Sequence, residues 1–169
     1  MPAVPPLTLR PVRPAADAGA IAAIYAHYVA TSIATFDFDP PSVEATEEKY
    51  ATILARGHPA IVGEIDGKVA GYAYASNYRP RPGYRFTCED SIYLGPEWVG
   101  RGYGKLLLAR IIDRARAAGF KQMLAVIAGG VEPSVRLHAR FGFATLGTFP
   151  NLGHKFGQWV DVVHMQKAL

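Results

Sequence analysis

The segment Ile92-Tyr93-Leu94-Gly95-Pro96-Glu97-Trp98-Val99-Gly100-Arg101-Gly102-Tyr103-Gly104-Lys105 constrains the fold more than any other stretch. It reads as a strand, a short loop, a glycine-rich turn and then a helix. Glycines allow the backbone to approach an anion closely and to take conformations closed to other residues. The free N–H groups at the helix start then point at that anion, and the helix dipole favours its charge. Arg101 and Lys105 add charge-assisted contacts. The spacing is not the GxxxxGK[ST] of a P-loop. It also lacks the third glycine and the following acidic residue of a dinucleotide fingerprint. Taken alone, the turn fits a tight connection as well as a phosphate site.

The helix after the turn has an apolar stripe of Leu107, Leu108, Ile111, Ile112 and Ala115, with Arg110, Asp113, Arg114 and Arg116 facing water. Gly119 ends it. Upstream, Ile21, Ile24, Tyr25 and Tyr28 recur at helical spacing and predict a helix over about 16–30. Ser42 is the N-cap expected for a second helix, with Gly57 just past its end. Residues 60–65 and 69–75 read as strands joined at Asp66-Gly67, a strong hairpin signal. Residues 78–84 form a loop rich in Pro, Gly and Arg, and 86–94 alternate like a strand. Met123 to Ile127 reads as a buried strand. Pro133 opens a helix where its missing N–H costs nothing. Residues 8–12, 143–149 and 159–165 read as further strands. This order predicts a mixed α/β (α+β) fold, with an antiparallel start and a strand–helix–strand unit in the second half.

The 169 residues suffice for one domain, assigned as 1–169, and not for two. A formal charge of +4 is compatible with a nucleic acid, a membrane surface or an anionic small molecule. The Lys and Arg residues are scattered, without the basic run or aromatic interleaving of a nucleic-acid binder, so no nucleic acid is expected as a partner. No uncharged apolar run is long enough to cross a bilayer, and the opening MPAVPPLTLRPVRP lacks the apolar core of a leader. The expectation is a soluble cytoplasmic protein with no membrane partner. One cysteine, Cys88, excludes an internal disulfide and any zinc site built on paired cysteines, so no metal is expected.

Several ordered motifs together carry a resemblance that no single one would. They are AAIYAHYV, YRPRPGYRFTCEDSIYL, GRGYGK, AVIAGG followed by PSVRLHARFGF, and GHKFGQWVDVVHMQ. Along nearly its whole length the chain resembles the GNAT superfamily of acyl-CoA N-acyltransferases. Within it, the chain resembles the phosphinothricin and methionine sulfoximine acetyltransferase branch. The resemblance implies a central mixed sheet that splays open, flanked by helices, with acetyl-CoA as co-substrate in the gap. It implies that the backbone of Ile92, Tyr93 and Leu94 binds the pantetheine arm. Gly100, Arg101, Gly102, Tyr103, Gly104 and Lys105 would hold the pyrophosphate. The acceptor would be a small-molecule amine of anionic, amino-acid-like type, and the assembly a homodimer. Arg79, Pro80, Arg81, Asp90 and Ser91 match positions that line the acceptor pocket. Two departures stand out: Val99 replaces a Gln or Arg of the superfamily signature, and Val131 replaces a common Asn.

Acetyl transfer requires a neutral amine, yet an amino-acid amine is mostly protonated near pH 7. A base must take a proton, and alternation in residues 86–94 puts Thr87, Glu89, Ser91 and Tyr93 on one face. Glu89 is the expected base, directly or through one water. The alternative is a surface carboxylate paired with Arg79 or Arg85. His138 occupies a helix position where many superfamily members carry a Tyr thought to protonate the thiolate, and a His can do this near neutral pH. The alternative is a core histidine with both nitrogens satisfied. Arg79 and Arg85 flank a loop that could close over an acid group. Tyr28, Thr35 and Phe36 are expected to wall the pocket. Cys88 lies on the strand face opposite Glu89 and is read as structural, not nucleophilic. Acetylation of proteins or peptides, and a CoA-binding regulatory module without turnover, are the competing functional readings.

Overall fold

A computed structural model describes residues 5–169; residues 1–4, the start of the segment read for a leader, lie outside it. The described chain runs β1 (Thr8–Pro11), α1 (Pro14–Thr31), α2 (Val43–Ala55), β2 (Ala60–Ile65), β3 (Lys68–Asn77), β4 (Thr87–Leu94), α3 (Tyr103–Ala117), β5 (Gln122–Ala128), α4 (Glu132–Arg140), β6 (Ala144–Lys155) and β7 (Gln158–Ala168). The strands form one sheet in the order β1-β2-β3-β4-β5-β7-β6. Only β4 and β5 pair in parallel. That is the mixed sheet expected from the strand–helix–strand unit, because a parallel neighbour needs a crossover and α3 supplies it.

Local chemistry sets most of the boundaries. Asp66 and Gly67 both have positive φ, 50° and 75°, as a two-residue hairpin turn requires. Ser42 accepts the Ala45 N–H and caps α2. Pro14 and Pro133 sit in the first turns of α1 and α4. The last two strands extend well past the expected 143–149 and 159–165. Pro150, Asn151 and Gly153 are residue types that disfavour a strand, yet β6 absorbs them as an irregularity between Phe149 and Gly153 and resumes pairing with β7.

The sheet is covered on both faces. The α3 stripe of Leu107, Leu108, Ile111 and Ala115 packs on Ala73, Ala75, Cys88, Met123 and Met165. Burying each large aliphatic side chain there contributes about 1.5–3 kcal/mol. On the other face Ile21 and Ile24 of α1, with Tyr50 and Ile53 of α2, pack on Val62 and Tyr72. Gly71 of β3 sets how closely the end of β4 can approach. A Cβ there would lie 2.6 Å from the Leu94 side chain and 2.8 Å from the Tyr93 carbonyl, so only glycine allows this spacing.

Removing the Ser42 hydroxyl tests whether the cap holds the start of α2. Ser42→Ala is expected to lower stability by about 1 kcal/mol in urea unfolding, with catalytic constants unchanged.

Candidate active site

The site begins where two strands part. β4 and β5 pair over Thr87–Glu89 and Gln122–Leu124 and no further. From Asp90 to Leu94, β3 is the only strand that β4 pairs with among the described residues, while Ala125 to Ala128 of β5 continue pairing with β7. One edge of β4 therefore turns unpaired backbone groups toward a gap, and such groups need partners. The gap opens into a cavity of about 850 Å³.

At one end the cavity meets the glycine turn. Gly100 and Gly102 are left-handed, with φ of 80° and 87°, and Gly102 is the N-cap of α3. No side chain caps this terminus; the Lys105 N–H is taken by the Gly102 carbonyl, and the N–H groups before it point where an anion would sit. Lys105 lines the same end, with Arg136 and Arg140 from α4. An open strand edge suits an amide-bearing arm, and this cationic, glycine-lined end suits a diphosphate. The residues present thus fit a CoA thioester. Arg136 and Arg140 were not picked out from the sequence, although their i, i+4 spacing puts both on one helix face.

Near its middle the cavity is lined by both acidic residues of β4, which face opposite ways. Cys88 and Asp90 are buried, whereas Glu89 and Ser91 on the other side are half-buried. Burial, reinforced by the negative charge of Asp90 and opposed by Arg79, holds the Glu89 carboxyl above the usual range. Asp90 Oδ2 lies 3.0 Å from His138 Nε2, and His138 Nδ1 lies 2.8 Å from the Ser134 carbonyl. Both ring nitrogens thus face acceptors, an arrangement that the imidazolium satisfies fully. Burial disfavours that charge. The hydrogen bond and charge of Asp90, with the Ser134 carbonyl, outweigh burial and lift the His138 pKa above 6.5. Cys88 is fully buried, its thiol pushed up to about 12 by burial, so little thiolate forms.

The side of the cavity that faces α1 is aromatic. Tyr25, Tyr28, Thr35, Tyr74 and Tyr93 line it. Tyr28 donates to the Leu94 carbonyl at 2.7 Å, and Tyr25 and Tyr28 each set a ring edge-on to Tyr93 at 5.2 Å. Tyr74 could not be singled out from the sequence, because strand alternation alone does not reveal that it stands opposite Ser91.

The structure thus gathers Glu89, Asp90, Ser91, Ile92, Tyr93, Leu94, Gly100, Gly102, Gly104, Lys105, Tyr28 and His138 around one cavity. Other expected site residues do not line it. The Tyr103 side chain turns into the fold, and its hydroxyl donates to the Pro5 carbonyl at 2.7 Å. Arg101 lies over Trp98, and Phe36 packs on Gly153. Arg79, Pro80, Arg81 and Arg85 sit in an exposed loop, with Arg79 over Tyr78 and Arg85 over Phe86. Of these, Arg79 is close enough for its charge to act on Glu89.

Residues 21–143 match the acetyltransferase (GNAT) family. The chain is 44% identical over 154 residues to a phosphinothricin N-acetyltransferase from Alcaligenes faecalis, covering 90% of this chain and 78% of that protein. It is 37% identical over 154 residues to an L-methionine sulfoximine/L-methionine sulfone acetyltransferase from Salmonella typhimurium, covering 91% of this chain and 90% of that one. In structure it is similar to a GNAT superfamily phosphinothricin acetyltransferase from Sinorhizobium meliloti in complex with acetyl-CoA. The TM-score is 0.93 and the identity 43%, over 96% of this chain and 88% of that one.

The Asp90–His138 pair predicts a pH dependence of stability. A histidine whose pKa is raised on folding stabilises fully below its unfolded value near 6.5 and loses that contribution as pH rises through the folded value. The stability advantage of the unaltered protein over Asp90→Asn should therefore be largest below about pH 6.5 and shrink at higher pH, as read from urea midpoints across a pH series.

Proposed function

The chain belongs to the acetyltransferase (GNAT) family and is an acetyl-CoA-dependent N-acetyltransferase, and from that premise we propose that its acceptor is the amino group of a small, anionic, amino-acid-like molecule of the phosphinothricin or methionine sulfoximine type. The observation that carries the reading is one cavity containing an open strand edge, a glycine-lined helix N-terminus and a half-buried carboxylate. The names of the two relatives supply the acceptor class.

Acetyl-CoA supplies an activated acetyl carbonyl. The β4 edge from Ile92 to Leu94 aligns its amide-bearing arm, and the turn at Gly100–Lys105 with Arg136 and Arg140 takes its phosphates. Val99 and Val131 line the cavity without a polar group, which leaves the backbone to do most of the holding. Glu89 accepts a proton from the acceptor's ammonium, directly or through water, and frees the lone pair. The amine then attacks the thioester carbonyl: the C–N bond forms, the nitrogen gives up its second proton, the C–S bond breaks with its electron pair leaving on sulfur, and the sulfur takes up a proton to leave as the CoA thiol. His138 lies along the opposite face of β4, and its imidazolium offsets the charge growing on that sulfur. Arg79, with Pro80, Arg81 and Arg85 in the same loop, offers the guanidinium groups that an acidic acceptor needs.

We also assign the chain to a homodimer in the cytoplasm. Supporting the first, β6 is a sheet edge with exposed Leu146, Phe149 and Leu152, and exposed Trp159 of β7 lies beside it; such an apolar edge is normally covered. Supporting the second, the single cysteine is unpaired. Light scattering should give twice the 18.3 kDa chain mass, and Trp159→Glu should shift it toward the monomer.

Release of CoA thiol tests the reaction itself. Phosphinothricin and methionine sulfoximine should be turned over, and a lysine peptide should not. Glu89→Gln is expected to lower kcat by about 10²–10⁴-fold. In the unaltered enzyme the acid limb of kcat/KM should lie above the ordinary glutamate value of 4.5 and disappear in that variant. Equal turnover by Glu89→Gln would remove Glu89 as the base.

A further inference from the structure

The GHKFGQWVDVVHMQ segment contributes no lining residue to the cavity, yet it carries Lys155, a lysine only 1% exposed. An ammonium is costly to bury unless its protons are taken up. Lys155 Nζ donates to the Ser32 carbonyl at 2.8 Å and to the Thr35 carbonyl at 2.7 Å, more than a hundred residues away in sequence. Both acceptors belong to the loop that leaves α1. Two residues before Lys155, Gly153 lies against the Phe36 ring of the same loop, so closely that a Cβ would overlap it. Two independent contacts therefore seat this loop on the β6–β7 hairpin.

The seated loop carries part of the cavity wall. Ala34 and Thr35 line the cavity. Tyr25 donates to the Asp37 carboxylate at 2.7 Å, and the Thr35 and Tyr25 hydroxyls are 2.6 Å apart. Because a carboxylate only accepts, the Thr35 hydroxyl is the donor to Tyr25. The chain of contacts runs from Lys155 through the Thr35 backbone to the Tyr25 ring, on the aromatic, α1-facing side of the cavity.

We propose that Lys155 is a positioning residue for acceptor specificity: it fixes the 32–37 loop so that Thr35 and Tyr25 hold the shape of the acceptor side of the cavity. This rests on the proposed function, with the acceptor received at the aromatic side. A buried lysine that serves only global stability would weaken both substrates alike or neither. A positioning lysine loosens that side and leaves the glycine turn and the β4 edge untouched.

The test compares Lys155→Met, which keeps the length and removes the donors, with Gly153→Ala, which disturbs the same loop through Phe36. Gln158→Ala, exposed beside the hairpin turn, is the control. The acceptor KM should rise by about tenfold to a hundredfold in both loop variants, in line with the cost of small misplacements near a reacting centre. The acetyl-CoA KM should stay within about twofold in both. Amide exchange of residues 32–37 should quicken in both while that of 100–108 stays as before. The control should match the unaltered enzyme. An unchanged acceptor KM, or acceptor and acetyl-CoA KM rising together, would overturn the proposal. If Lys155→Met does not fold, Gly153→Ala decides it. If the unaltered enzyme turns over no acceptor, the functional reading falls, and exchange in 32–37 decides this inference alone, with unchanged exchange overturning it.

Discussion

Three residue pairs join β4 to β5, and everything that makes a site depends on the ladder stopping there. A strand inside a sheet normally spends its backbone groups on both neighbours. Beyond Glu89, β3 is the one strand on which β4 spends them, and Tyr28 of α1 takes the Leu94 carbonyl. The other edge stays open because β5 diverges from β4 after Leu124 while keeping its ladder to β7 on its far edge, and α4 starts beyond β5 and reaches back to β4 through His138. The gap is thus bounded by β4, β5 and α4. α3 is anchored in the core by its whole apolar stripe, and that fixes the glycine turn at one end of the gap.

The same strand gives adjacent carboxyl groups different work. Side chains alternate along β4, so Asp90 points to α4 and Glu89 points away from it. Asp90 meets an imidazole, forms a buried contact and lifts the proton affinity of His138. Glu89 meets apolar surroundings and a neighbouring negative charge, and its own proton affinity rises. In the proposed roles, a base that must take a proton near neutral pH benefits from that rise, and the raised proton affinity of His138 on the opposite side favours the imidazolium that suits a departing anion. One residue of register would exchange the two roles, which is why the bulge-free pairing of β3 and β4 matters as much as the identity of the acids.

Features governed by near neighbours in sequence were legible before the fold was known. The Asp66-Gly67 turn, the Ser42 cap, the α3 stripe and the entry at Pro133 each depend on residues within one or two turns. The glycine turn and the alternation around Glu89 belong to the same class. What could not be read depends on distant partners. His138 is 48 residues from Asp90, and Lys155 is 120 from Thr35. No periodicity links them, and a histidine or lysine in sequence looks the same with or without a buried acceptor. The β6 strand was underread for the opposite reason. Pro150, Asn151 and Gly153 are locally loop-like, and pairing with a long β7 overrides that preference.

The glycine-turn part and the aromatic part of the cavity are therefore specified in different ways. The glycine-turn part is made mostly of backbone: an open strand edge, left-handed glycines and a helix terminus. Backbone groups are present whatever the side chains are, so valines at 99 and 131 can replace polar residues without dismantling it. The aromatic part is made of side chains from α1, the 32–37 loop, β3 and β4, held at a distance by Lys155 on β6. A wall assembled from so many elements changes shape whenever one of them shifts. A common co-substrate can be kept while the acceptor changes, because the part proposed to hold the first needs few particular side chains beyond its glycines and the cationic Lys105, Arg136 and Arg140, whereas the part proposed to select the second is built of side chains throughout.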